Sequence, residues 1–184
     1  MTAVGVLELN SIARGLETAD DMVKTAQVNL MTAKPVCPGK FIIVVTGEVA
    51  AVSAALTAGR EKAGTFFVDE VELPNVHPAV IPAFYNVSEN RPPEAVGVIE
   101  TFSVAAAIEA ADAGVKTAQV DLLELRLALG MGGKSFAVFS GMISSVKAAV
   151  DAGCALVAQK GLLAASSLIP APDQQISLLL AGLN

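Results

Sequence analysis

The chain has 184 residues, of which 53% are apolar and 16% are charged, and its 12 basic and 18 acidic residues give a net charge of −6. This composition excludes intrinsic disorder, which requires low hydrophobicity and high charge. The acidic balance argues against a nucleic-acid partner, which requires a clustered basic face. With so few charges, we expect much of the surface to be buried against other chains.

The sequence predicts neither a membrane protein nor an enzyme. Its longest charge-free runs contain Ser, Gly or Pro and are shorter than the ~20 apolar residues that a bilayer requires. The N-terminus lacks a basic start followed by an apolar segment, so we predict no signal peptide. The two cysteines, Cys37 and Cys154, fit a reducing cytosol, so a cytoplasmic protein is expected. We interpret His77, the single histidine, as a capping or edge residue, because no nucleophile and acid pair accompanies it.

The first half is predicted to have the order β-α-β-β-α-β, followed by a short helix. Ser11 can cap a helix, and apolar residues recur on one face of that helix: Ile12, Leu16, Ala19, Val23 and Ala26. The predicted strands are 3–9, 28–34, 40–46 and 65–73, and two further helices are predicted at 48–63 and 78–85. Antiparallel strands with helices on one face make an α+β sandwich.

The second half repeats the first. Residues 3–31 align with 95–123, and 17 of these 29 positions are identical. Because the repeated unit has about 90 residues, it is a duplicated domain rather than a solenoid repeat. We predict domains at 1–90 and 91–184, joined by the linker 88–94 with its two prolines. The predicted strands are 95–101, 120–128, 135–141 and 161–168, and the predicted helices are 103–118, 142–158 and 173–181.

Both halves carry the strand AVGV, a helix ending in VKTAQV, and a loop leading into GK and a second strand. This pattern resembles the bacterial microcompartment shell domain. The resemblance implies two tandem ferredoxin-like domains, a homotrimer that mimics a hexamer, a central pore on its three-fold axis, and other microcompartment shell proteins as partners. The segment VCPGKF (36–41) is similar to the iron–sulfur-binding type of this family found in propanediol-utilisation compartments.

The resemblance makes Cys37 the candidate ligand of an iron–sulfur cluster of the 4Fe-4S type. Such a cluster needs several thiolates, which a three-fold axis would supply from one cysteine in each of three chains. Pro38 and Gly39 would shape the pore loop. The cluster would serve electron transport across the shell or would be delivered to enzymes inside, and redox enzymes inside the compartment would be further partners. The alternative from the residues alone is a small apolar filler, which is also our interpretation of Cys154 in an Ala-rich helix.

The second domain has no thiol in the equivalent loop. Its predicted pore-loop residues are Gly130, Met131, Gly132 and Gly133, which would present backbone amides instead of side chains. Lys24 and Lys116 lie four residues after Asp20 and Asp112, which is the spacing of a solvated ion pair. The resemblance also places both lysines at the edge where neighbouring tiles meet.

Two other functions stay open. In the first, the protein is a plain shell tile with a free Cys37 and an open metabolite pore. In the second, it is a trimeric regulator that binds a small ligand between ferredoxin-like domains. Neither alternative requires a catalytic residue.

Overall fold

The computed structural model describes residues 3–85 and 93–181, which fall into two compact units. Of the described residues, the first unit comprises 3–76, 103–105 and 128–133, and the second comprises the rest. The predicted boundary between residues 90 and 91, and the linker before Pro93, lie outside the described residues. No described helix combines the length and the apolar character that a membrane span requires.

The first sheet has the strand order β2-β3-β1-β4, and every neighbouring pair is antiparallel. The elements are β1 (Ala3–Leu9), α1 (Ile12–Thr25), β2 (Asn29–Val36), β3 (Lys40–Gly47), α2 (Val49–Ala63), a 3₁₀ turn (Gly64–Phe66) and β4 (Phe67–Leu73). Ser11 caps α1 as predicted, since its hydroxyl accepts a hydrogen bond from the Arg14 amide.

The second sheet repeats this topology with the strand order β6-β7-β5-β8. Its elements are α3 (Val80–Ala83), β5 (Ala95–Thr101), α4 (Val104–Thr117), β6 (Asp121–Leu127), β7 (Ser135–Gly141), α5 (Ile143–Gln159), β8 (Leu163–Ile169) and α6 (Gln174–Ala181). The register is also repeated, because Ala3 lies opposite Gly47 and Ala95 lies opposite Gly141. The predicted α+β class, with an antiparallel sheet and helices in each domain, is confirmed.

The core of the first unit lies between the sheet and its two long helices. Leu7, Leu9, Met22, Phe41 and Leu56 are buried together there. Gly15 is required where α1 crosses β3, because a methyl group on Gly15 would lie 2.3 Å from the Phe41 ring. The second copy holds Ala107 and Ser135 at these two positions, so a larger helix residue there accompanies a smaller strand residue.

The apolar stripe predicted for α1 is not the side that packs on the sheet. The residues of α1 that are buried are Gly15, Thr18, Ala19 and Met22. Ile12, Leu16 and Val23 are exposed instead. Of the predicted stripe, Ala19 is buried and Ala26 packs against the core. Gly15, Thr18 and Met22 complete the inner face, and the missing side chain of Gly15 allows the helix to approach the sheet closely.

Candidate functional site

Cys37, Pro38 and Gly39 form the tight loop between β2 and β3. Gly39 has a φ of +80°, a left-handed conformation that favours glycine, and the peptide bond between Cys37 and Pro38 is cis. Pro38 and Gly39 are exposed, whereas the Cys37 thiol is half-buried and forms no disulfide. The chain therefore turns at its surface and leaves one free thiol beside the turn.

The glycine-rich loop after β6 lies against this turn within the first unit. The Cys37 amide donates a hydrogen bond to the Ala128 carbonyl at 3.0 Å. A methyl group on Gly133 would lie 2.9 Å from Cδ of Pro38. Gly130, Gly132 and Gly133 all have positive φ. The structure thus brings the two predicted pore loops together, the thiol loop (Cys37–Gly39) and the glycine loop (Ala128–Gly133).

The two large apolar side chains of the glycine loop, Leu129 and Met131, differ in their exposure to solvent. Met131 is half-buried, and Leu129 is among the most exposed apolar side chains of the described chain. The glycine loop therefore exposes one large apolar side chain, that of Leu129.

A buried carboxylate pairs with Lys40, the residue that follows the thiol loop. Glu8 of β1 is fully buried and accepts hydrogen bonds from the Lys40 ammonium at 2.7 Å and from the Val104 amide at 2.8 Å. Ser103 donates to Asp69 at 2.5 Å. These carboxylates hold the N-terminus of α4, where a negative charge is favourable.

The sequence analysis missed Glu8 and Asp69. The sequence does contain a signal that could have identified Glu8. A glutamate, Glu8 or Glu100, is the sixth residue of the first, mainly apolar strand in each copy. A carboxylate retained at that place in both copies indicates a specific partner.

The described part of the chain contains no group of three or more His, Cys, Asp or Glu residues that could hold a metal ion. Cys154 lies on α5 rather than in a loop, and burial raises the pKa of its thiol above the ordinary value, although a hydrogen bond with Ser166 acts in the opposite direction. The half-buried position on a helix and the raised pKa both fit the structural role predicted for Cys154. Any thiolate cluster at the thiol loop would need sulfur atoms from other chains.

The two candidate edge lysines form the predicted ion pairs. The Lys24 ammonium lies 2.5 Å from Asp20, and both side chains are exposed. Lys116 lies 2.5 Å from Asp112, whose carboxylate is buried and also accepts a hydrogen bond from the His77 amide at 2.8 Å. Lys116 is therefore attached to a more rigid partner than Lys24.

His77 closes a turn before α3. Its Nδ1 atom accepts a hydrogen bond from the Ala79 amide at 3.2 Å. The imidazole therefore has a local capping contact, which fits the interpretation of His77 as a capping residue.

Glu124 of β6 is a second buried carboxylate that the sequence analysis missed. It forms an ion pair with Arg126, yet neither carboxylate oxygen has a hydrogen-bond partner. Burial raises the pKa of Glu124, and the charge of Arg126 offsets only part of that effect.

Comparison with known families agrees with this duplicated architecture. The sequence model of the BMC domain matches residues 3–76 and 95–172. The chain therefore belongs to the bacterial microcompartment domain family and carries two copies of the domain in tandem, as the resemblance implied.

The chain is also similar to individual shell proteins. It is 44% identical over 174 residues to the bacterial microcompartment shell protein PduT of Citrobacter freundii, covering 95% of each chain. A crystal structure of a microcompartments protein from Desulfitobacterium hafniense DCB is 47% identical, with a TM-score of 0.87 and coverage of 97% of this chain and 99% of that one. PduT is a shell protein, which agrees with the expectation that the protein is not an enzyme.

A more distant structure shares the fold alone. The fused permuted hexameric shell protein MSM0275 from the RMM microcompartment is 22% identical, with a TM-score of 0.64 and coverage of 86% of this chain and 84% of that one.

Proposed function

We propose that three copies of this protein, a structural tile of a bacterial microcompartment shell, hold an iron–sulfur cluster in a central pore. The tile function follows from the family and from the tandem domains. The observation that supports the cluster is the placement of the free Cys37 thiol in a surface turn fixed by the Ala128 carbonyl.

One thiol per chain fits a cluster shared by symmetry. Three Cys37 side chains around a three-fold axis would supply three thiolates to a 4Fe-4S cluster, and the fourth iron would take a non-protein ligand. The neighbouring glycine loop can come close because it presents no bulky side chain except Leu129 and Met131. When bound, the cluster supplies a redox centre for electron transport across the shell.

The proposal gives the protein three kinds of partner. Two further copies of the chain would complete the trimer, other shell proteins would surround it, and redox enzymes inside the compartment would exchange electrons with it. A pore that holds a cluster is closed to metabolites. The competing function is a plain tile with an open pore and a free Cys37.

Anaerobic purification of the full chain tests the cluster. We expect a brown trimer with visible absorption and an EPR signal after reduction. Cys37→Ser should abolish the colour and the EPR signal while the trimer persists in light scattering. Cys154→Ser is the matched control, because it removes the other thiol, and it should retain the cluster.

Two outcomes contradict the cluster. One is a trimer that stays colourless after reconstitution with iron and sulfide, which favours the plain tile. The other is a Cys37→Ser trimer that retains the EPR signal, which excludes Cys37 as a ligand.

A further inference from the structure

We propose that Lys40, fixed by the buried Glu8, raises the reduction potential of the iron–sulfur cluster by holding a positive charge beside the thiol loop. This inference rests on the cluster of the proposed function and assigns to it a charged neighbour within the chain. One-electron reduction makes such a cluster more negative by one charge. A fixed cation nearby therefore favours the reduced form.

Lys40 lies at the base of the turn that carries Cys37. It is the first residue of β3, and it pairs directly with Val36, the residue before Cys37. The Lys40 ammonium also lies near Gly133, because a methyl group on that glycine would lie 3.7 Å from Nζ and 3.3 Å from the Cys37 carbonyl oxygen. The ammonium group and the backbone of the thiol loop therefore meet at the same glycine.

The Lys40 side chain is held in one place. It is 17% exposed, and its ammonium donates to Glu8 at 2.7 Å. The Glu8 side chain is 0% exposed, and its other oxygen accepts a hydrogen bond from the Val104 amide at 2.8 Å. A charge that is largely shielded from water acts more strongly on its neighbours than a solvated charge, because the effective dielectric constant around it is lower.

The ion pair has its positive end toward the thiol loop. Lys40 directly follows Gly39, whereas Glu8 pairs with Ile42, two residues further along β3. The helix amide that donates to Glu8 also offsets part of its negative charge. Of the two charged side chains, Lys40 is the one that lies beside the glycine loop. The cation therefore contributes the larger part of the field at the thiol loop.

A second lysine provides a comparison within the same strand pair. Lys34 precedes Cys37 by three residues, as Lys40 follows it by three. Lys34 pairs with Ile42 on one side, and Glu8 pairs with Ile42 on the other. Directly paired residues share a face of a sheet, so Lys34 lies on the face of the ion pair. Lys34 is exposed, so water and salt screen its charge.

Three-fold symmetry multiplies the effect of Lys40. A cluster shared by three Cys37 thiolates has three Lys40 side chains in its surroundings, one from each copy. A single substitution in the chain therefore removes three charges around one cluster. The reduction potential is for this reason a sensitive measure of the proposed role.

A redox titration of the anaerobically purified trimer, followed by EPR, tests the inference. At a given potential, Lys40→Met should lower the ratio of reduced to oxidised cluster by about tenfold, which is a fall of about 59 mV for a one-electron couple. Lys34→Met is the matched control, because it removes the same charge at the same sequence distance from Cys37. It should change this ratio by less than about twofold, since its charge is screened.

Two further variants separate the charge of Lys40 from its packing. Lys40→Arg keeps the positive charge and should keep the potential near that of the unsubstituted protein. Glu8→Gln removes the anion of the pair and should raise the potential. A role limited to packing would not give opposite shifts for the two members of the pair. These variants also test the inference if Lys40→Met does not fold.

Ionic strength provides an independent check. Salt screens exposed charges much more than buried ones, so the shift caused by Lys40→Met should persist in high salt. The smaller shift caused by Lys34→Met should disappear there. A Lys40→Met shift that is lost in salt would contradict a charge fixed away from solvent.

The outcomes separate this inference from the proposed function. A trimer that holds no cluster after reconstitution would overturn the proposed function and this inference together. A cluster whose potential is the same in the unsubstituted protein, Lys40→Met and Glu8→Gln would overturn the inference alone. Equal shifts for Lys40→Met and Lys34→Met would also overturn it, because any nearby surface charge would then have the same effect.

Discussion

At the scale of single residues, the two buried glutamates have opposite surroundings. Glu8 is fully paired, with an ammonium group and a helix amide as donors. Glu124 faces Arg126, but its oxygens have no hydrogen-bond partner. A buried carboxylate without hydrogen bonds is costly to ionise. Glu8 therefore has a donor for each carboxylate oxygen, whereas burial raises the pKa of Glu124 above its ordinary value.

The raised pKa of Glu124 predicts a specific pH dependence of stability. The native state keeps this proton at pH values where the unfolded chain has lost it, so stability falls as pH rises from the ordinary carboxyl pKa through the raised pKa. Glu124→Gln removes this loss. We expect it to raise the free energy of unfolding by about 1 kcal/mol at neutral pH, or ~2–4 °C in Tm. The advantage should disappear in acid.

Thermal melts across the pH range measure this effect. Glu61→Gln is the control for the removal of one carboxylate at an exposed position. An advantage of Glu124→Gln that is equal at acid and neutral pH would show that ionisation of Glu124 does not limit stability.

Sequence reasoning could identify Cys37 but not the two glutamates. The cysteine stands out because prolines and a glycine surround it in a predicted loop. Glu8 and Glu124 lie in strands, where alternation suggests which residues share a face but not whether a helix covers that face. Their burial depends on packing that a linear pattern does not contain.

At the scale of elements, the strands and helices were predictable because the duplication provides each pattern twice. Most predicted boundaries differ from the structure by one or two residues, as expected where helix and strand ends fray. The predicted helix at 78–85 is reduced to the single turn of α3. The apolar stripe of α1 could not be assigned to core or interface, because both environments require the same residues.

The crossing of α1 and β3 predicts a strong dependence on side-chain volume. Gly15→Ala would push a methyl group into the Phe41 ring and should cost ~1–3 kcal/mol. Phe41→Ser should cost about 3–5 kcal/mol through the cavity it leaves. The double variant copies the Ala107 and Ser135 pair of the second half, so it should be more stable than the two separate losses predict.

Urea unfolding of the four proteins in this double-mutant cycle measures the coupling between Gly15 and Phe41. Losses that simply add would mean that α1 moves away from β3 to accommodate the methyl group, and that the close crossing does not constrain the two side chains.

At the scale of the whole molecule, the candidate tile edges carry two lysines of unequal rigidity. Lys24→Ala and Lys116→Ala should both weaken the assembly of trimers into extended layers of tiles, while the trimer itself persists. Lys24→Ala removes an exposed pair worth about 0.3–0.5 kcal/mol. Lys116→Ala leaves the buried Asp112 carboxylate without its cation and should cost ~1–3 kcal/mol of unfolding free energy.

Electron microscopy of assembled sheets, with light scattering of the trimer, measures this prediction. Lys147→Ala is the matched control, because Lys147 forms the same type of exposed pair with Asp151 on another helix. Normal sheets from both lysine variants would show that neither residue contributes to the edge.

The covalent fusion of a thiol loop and a glycine loop has a consequence for composition. Any ring assembled from whole chains contains the two loop types in equal number. A ring of single-domain subunits with one sequence would have the same loop at every position, and a mixture of two such subunits would give variable ratios. In the proposed ring, duplication followed by divergence would therefore fix the ratio of thiol loops to glycine loops without any mechanism for sorting subunits.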